Sequence, residues 1–215
     1  PTRRSSDLDL FSKMLDRFSA PYYNSTLTAQ YRQIYDIGND SVFEKRYISG
    51  RSSTGAMTTG PDKKSLGDFP LLTYDPGWNQ YAISSSTPKE QDMGAMFVPT
   101  DAAMIEYFVN GGGRVLMDRY AKLPNTPENI EYNLYQIPLD ILQALINNLM
   151  KDSFLESVPS KYLTIMNDAQ DQMFPATNAD YENESKYKQC IDKCLLANNG
   201  VVYVMNRVIT PADYA

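Results

Sequence analysis

The chain contains no histidine. That removes the commonest general base and the commonest metal-ligating side chain together. A serine or cysteine nucleophile would lack its usual partner. Cysteine is scarce too. Cys190 and Cys194 are too few for a zinc site and read as buried free thiols. No run approaches the roughly 20 apolar residues of a membrane-spanning helix. Lys and Arg total 20 against 26 Asp and Glu, a net charge of −6. Nucleic acid is excluded as a partner on that balance, because its phosphates need a basic footprint. The glycine loops of nucleotide sites, HExxH and GxSxG are all missing. The run NGGGR at Asn110 to Arg114 comes after a helical pattern rather than opening one, so it reads as a helix stop. Asp168 and Asp171 are a carboxylate pair in a polar stretch. They read as solvated, with a calcium site or a hydrolytic dyad as the sharper alternatives.

What is present is a folded-domain composition. Of 215 residues, 42% are hydrophobic and 21% charged, enough for one sizeable domain with insertions. No internal repeat is visible. Sixteen tyrosines suit strands and half-wet surfaces. The first eight residues, PTRRSSDL, match one frame of a short sequencing adaptor and share no pattern with the residues after them. They are set outside the fold, so any signal peptide or lipid-anchor cysteine is expected upstream of the sequence in hand.

Along the chain, Leu10, Phe11, Met14, Leu15 and Phe18 predict an opening helix that Pro21 ends. TAQYRQIY adds a short helix with Tyr31, Ile34 and Tyr35 on one side. SVFEKRYIS alternates as a strand. Residues 50–67 are Gly, Ser and Thr rich and read as loop. Asp75-Pro76-Gly77 marks a turn with strand material on either side. Met93 to Val98 is a buried strand, Thr100 a helix cap and Asp101 a favourable first-turn acid. Met104, Ile105 and Phe108 give that helix its apolar stripe. Pro138 opens the strongest helix, lined by Leu142, Leu145 and Ile146. A strand is expected at 162–166. Residues 187–195 fit a helix by spacing, whereas Cys194 to Ala197 fit the first arm of a hairpin. Asn199-Gly200 is read as that hairpin's turn, with Val201 to Asn206 the second arm.

Two of these segments resemble the signature boxes of fasciclin domains. AMFVPTDAAMIEYF is similar to the first, through Met96, Phe97, Val98, Pro99, Thr100, Asp101 and Ala103. NGVVYVMNRVITP resembles the second, through Asn199, Gly200, Val201, Val202, Val204, Val208 and Pro211. Tyr203 stands where the family often carries histidine. The resemblance covers residues 9–211, with insertions expected near 50–90 and 120–135. It implies an α+β fold, a β-wedge of two short sheets with packed helices. It implies no cofactor and no catalysis, and an extracellular adhesion module of the bacterial secreted or surface-anchored type. The partner would be a surface protein, a matrix component or a glycan. Residues 212–215 would start a linker to a further fasciclin domain. The integrin-binding Tyr-His motif of animal members cannot apply to a chain without histidine. An alternative is a carbohydrate-binding component of a glycan-uptake system. Its candidate contacts are Trp78, Tyr74, Tyr81 and Tyr203, since aromatic rings stack on sugars. The preferred reading of Trp78 is a hydrophobic pin for a long insertion.

Overall fold

The computed structural model describes residues 7–52, 57, 65, 67, 69–78, 94–158, 165–167, 169–171, 173 and 186–210. Most of the expected insertion at 50–90 lies outside these residues. So do Tyr81, Asp168, Pro211, the linker at 212–215 and most of the strand expected at 162–166.

The described residues form a mixed α+β fold with two small sheets. The four-stranded sheet runs β4 (Met150–Lys151), β3 (Gly94–Pro99), β6 (Gly200–Met205), β5 (Ile191–Ala197). Its centre is the parallel pair β3–β6, in which Phe97 stands opposite Tyr203 and Val98 opposite Val204. Both boxes therefore lie side by side. A parallel pair needs a long crossover. Here it carries α3 (Asp101–Val109), α4 (Arg114–Tyr120), α5 (Ile130–Leu134), α6 (Leu139–Asn148) and α7 (Lys186–Gln189). Five of six residues in each central strand are buried, which accounts for their nearly unbroken apolar sequence.

The smaller sheet pairs β1 (Ser19–Tyr23) with β2 (Phe43–Tyr47), antiparallel. Before it comes α1 (Asp9–Asp16), which buries Leu10, Phe11, Met14 and Leu15. This helix ends at Arg17, not at Pro21. Pro21 lies inside β1, opposite Lys45, where an edge strand tolerates a missing N–H. Between the two strands runs α2 (Ser25–Tyr35). Asn24 caps it, its Oδ1 accepting the Leu27 N–H at 2.9 Å.

Several other expectations change. Asn110 to Gly113 stops α3, but Gly113 is also the residue from which α4 starts, so the glycines both close and open a helix. The stretch 120–135, expected as an insertion, is not a bare loop. It contains α5, whose Ile130 and Leu134 join the core. Pro138 precedes α6 rather than occupying its first turn. Among the described residues around Asp75 to Gly77, only Leu72 makes a strand-like contact, a single bridge to Ser49. Residues 191–197 form a strand, leaving Cys190 buried and Cys194 exposed, so one of the two expected buried thiols faces water. The hairpin turn sits one residue earlier than expected. Ala197 pairs with Gly200, so Asn198 and Asn199 are central, and neither has positive φ. Gly200 is demanded both by its backbone, at φ +156°, and by packing. A Cβ there would sit 2.4 Å from the Gly94 carbonyl oxygen.

Candidate interaction surface

The box residues act as joints of the scaffold. Pro99 closes β3, and the Thr100 hydroxyl accepts the Ala103 N–H at 3.2 Å to cap α3. Asp101 reaches across to α1. Its Oδ1 accepts the Leu10 N–H at 2.9 Å, while its own N–H donates to the Asp7 carbonyl at 2.7 Å. A carboxylate at the start of α1 also opposes that helix's positive end. Phe97 and Tyr203 stack, with ring centroids 5.5 Å apart. The Ser157 hydroxyl lies 2.7 Å from the Phe154 carbonyl and shares a hydrogen bond of 3.2 Å with the Tyr203 hydroxyl. Val202 is half-buried beside them. Asn199 donates to the carbonyls of Pro76 and Trp78 at 2.9 and 3.0 Å, which ties the hairpin to the Asp75 turn.

Of the aromatic residues considered for sugar stacking, the three described are not on the surface. Trp78 is 9% exposed, Tyr74 5% and Tyr203 3%. Tyr74 lies 5.5 Å from Trp78, ring to ring, and donates its hydroxyl to the Ala95 carbonyl at 2.6 Å. Arg51 covers Trp78 from another side at 5.6 Å. A sugar needs an open ring face, and these three rings spend theirs on the core. Trp78 is the pin, not the platform.

Exposed aromatics lie elsewhere: Tyr132 and Tyr135 in and just after α5, and a larger group on β1, α2 and β2. Tyr31, Ile34 and Tyr35 recur at helical spacing on α2 and are 43%, 69% and 65% exposed. Tyr31 and Tyr35 rest on each other, centroids 5.2 Å apart. Tyr23 and Phe43, paired across β1 and β2, meet edge to face at 5.8 Å and are also exposed. The reason for this exposure is the way α2 is held. Its one buried residue is Thr28, whose hydroxyl accepts the Val42 N–H and donates to the Asn24 carbonyl. Arg32 binds the carbonyls of Asn39 and Asp40. Polar bonds fasten the helix on one side, and the apolar stripe is left toward solvent. An amphipathic pattern facing water in this way marks a contact surface more often than chance placement does. The spacing of the stripe was legible in the sequence. Its orientation was not, because periodicity does not say what covers a face.

The charges nearby are internally matched. Asp16 accepts from both Lys45 and Tyr47. That hydrogen bond raises the Lys45 ammonium above its ordinary value. Burial, then the bond to Asp16, raises the Tyr47 phenol. Among the described residues no group of three His, Cys, Asp or Glu side chains is placed to hold a metal ion. No described helix is long and apolar enough to cross a membrane. Comparison with family models, curated proteins and solved structures returned no match.

Proposed function

We propose that the chain is a fasciclin-like, non-catalytic interaction module of a bacterial cell surface, with the β1–α2–β2 unit as its contact face. The observation that carries this reading is the uncovered stripe of Tyr31, Ile34 and Tyr35, flanked by Tyr23 and Phe43. Tyrosine and phenylalanine supply large contact area at low cost in side-chain entropy, so they favour protein partners. The partner is a surface or matrix protein. The adjacency of the two boxes on β3 and β6 supports the family resemblance and assigns those residues to the scaffold. The burial of Trp78, Tyr74 and Tyr203 favours this reading over a glycan-binding role built on those rings.

The test is binding of the purified chain to a panel of matrix and surface proteins. A combined Tyr31→Ser, Ile34→Ser, Tyr35→Ser variant should lose at least about tenfold in affinity while keeping its melting temperature, because buried aromatic anchors dominate interfaces. Equal binding by the variant would reject α2 as the contact face.

A further inference from the structure

α2 is held to the rest of the molecule by very little of its own surface. Of its eleven residues nine are exposed, Leu27 is half-buried and Thr28 alone is buried. α1, with eight residues, buries four. Helices in proteins are stable mainly through an apolar face packed on the core, and an isolated helix below about 12–15 residues is marginal in water. The sequence of α2 does not make up the difference. Ser25, Thr26, Thr28 and Ile34 are weak helix formers, and no acid sits in the first turn. The helix ends on Asp36 at φ 47°, a left-handed position that favours glycine.

What keeps α2 in place is polar and local. The β1–β2 ribbon continues past Tyr23 and Phe43 with one further bond, from the Asn24 N–H to the Val42 carbonyl at 3.0 Å. In a plain antiparallel pair the two residues would exchange a second bond, from the Val42 N–H to the Asn24 carbonyl. Here that return bond runs through Thr28. Its hydroxyl accepts the Val42 N–H at 2.9 Å and donates to the Asn24 carbonyl at 2.8 Å. One turn on, Arg32 Nη2 donates to the Asn39 and Asp40 carbonyls at 3.0 and 3.1 Å. The base of the ribbon is anchored differently. Phe18 and Ile48 are buried there, and the Ile48 N–H donates to the Phe18 carbonyl at 2.7 Å. The ribbon is therefore tied into the core at its base, while the helix at its tip depends on one inserted hydroxyl and one guanidinium.

We propose that α2 is a releasable unit, which leaves the ribbon and loses its helix while the body of the protein stays folded, with the Thr28 hydroxyl as its latch. Release strands neither backbone group of the last rung, because the Val42 N–H then closes on the Asn24 carbonyl directly. Tyr31, Ile34 and Tyr35 form one stripe only while the helix is intact, so release also withdraws the stripe. That consequence rests on the contact-face reading above, whereas the release itself is a property of the free chain.

Hydrogen exchange of the free full chain in rising, sub-denaturing urea tests the release. No partner is present, so its failure is distinct from failure of the contact face. Amides of residues 30–35 should exchange through an opening that depends little on urea, because little surface is uncovered. Those of β3 and β6 should accelerate steeply. Gly200→Ala should speed exchange in β3 and β6 at least about tenfold and leave α2 at its wild-type rate, since opening of α2 does not involve the central strands. Thr28→Val keeps the side chain's shape, removes the hydroxyl and should speed α2 exchange at least about tenfold. Amides of α2 that share the urea slope of β3 and β6, that accelerate with them in Gly200→Ala, or that ignore Thr28→Val would each overturn the proposal.

Discussion

Gly200→Ala is the most incisive perturbation of the scaffold. The residue opens β6 at the hairpin and lies against Gly94 at the start of β3. A methyl group at this site would stand 2.4 Å from the Gly94 carbonyl oxygen and 3.2 Å from its carbon. Carbon and oxygen in ordinary contact stay above roughly 3.2 Å, so the two central strands would have to part by nearly 1 Å or the pairing would have to break. The obstacle is backbone, which has no rotamer to yield. Overpacking of this kind costs about 1–3 kcal/mol, and the upper end applies where rigid strands meet. With a urea slope of about 2–3 kcal/mol per M, the midpoint should fall by about 1 M. Trp78 is the sole tryptophan and is buried, so its fluorescence reports unfolding directly. Gly38→Ala is the internal control. Both glycines have positive φ, +156° at Gly200 and +59° at Gly38, but a Cβ at Gly38 meets nothing within 4 Å, so there only the backbone is penalised, by about 1–2 kcal/mol. If Gly200→Ala loses less stability than Gly38→Ala, the close approach of β3 and β6 is wrong.

Other outcomes rest on the same joints. Asp101→Ala removes the acceptor for Leu10 N–H and should cost about 1–2 kcal/mol by urea titration, with hydrogen exchange rising first at the start of α1. Tyr203→Phe gives up the bond to Ser157 and keeps the stack on Phe97, so about 1 kcal/mol is expected from the same titration. Trp78→Ala should destabilise by about 3–5 kcal/mol, as emptying a core site does, read from the shift in the circular-dichroism urea midpoint. Stability should also fall in alkali. Burial raises the Cys190 thiol and the Tyr107 and Tyr47 phenols in the folded state. Groups whose folded pKa is raised hold their protons longer when folded. Their contribution is intact below the unfolded values, 9.0 for the thiol and 10.0 for the phenols, and is lost as pH rises through the folded ones. A flat unfolding free energy from pH 8 to 11 would contradict the burial of all three.

The legible parts of the fold were those with a strong period or a well-capped corner. The strand, Pro99, Thr100 and helix sequence of β3 and α3 appears where the residues predict it, because the cap and the stripe agree locally. The same holds for α6, apart from one residue at Pro138. The helices missed are short. α4 has seven residues and α5 five, with one buried side chain in the first and three in the second, so no stripe can accumulate. β1 was hidden by Pro21, whose meaning depends on lying at a sheet edge. The fate of Trp78 was also tertiary. It is decided by Tyr74, Arg51 and the distant Asn199, none of which a local window can join to it as cover. The candidate surface was half-readable for a related reason. Tyr31, Ile34 and Tyr35 announce a face, but only the fastening of α2 through Thr28 and Arg32 turns that face outward.

The measurement that bears most directly on the function is a hydrogen-exchange footprint. The chain is compared alone and saturated with the tightest binder from the matrix and surface-protein panel. Slower exchange confined to Ser25–Tyr35 and Phe43–Tyr47, with β3 and β6 unchanged, is the result the interaction-face reading requires. Protection centred on the Asp75 to Trp78 turn, or the absence of any binder in the panel, would contradict it.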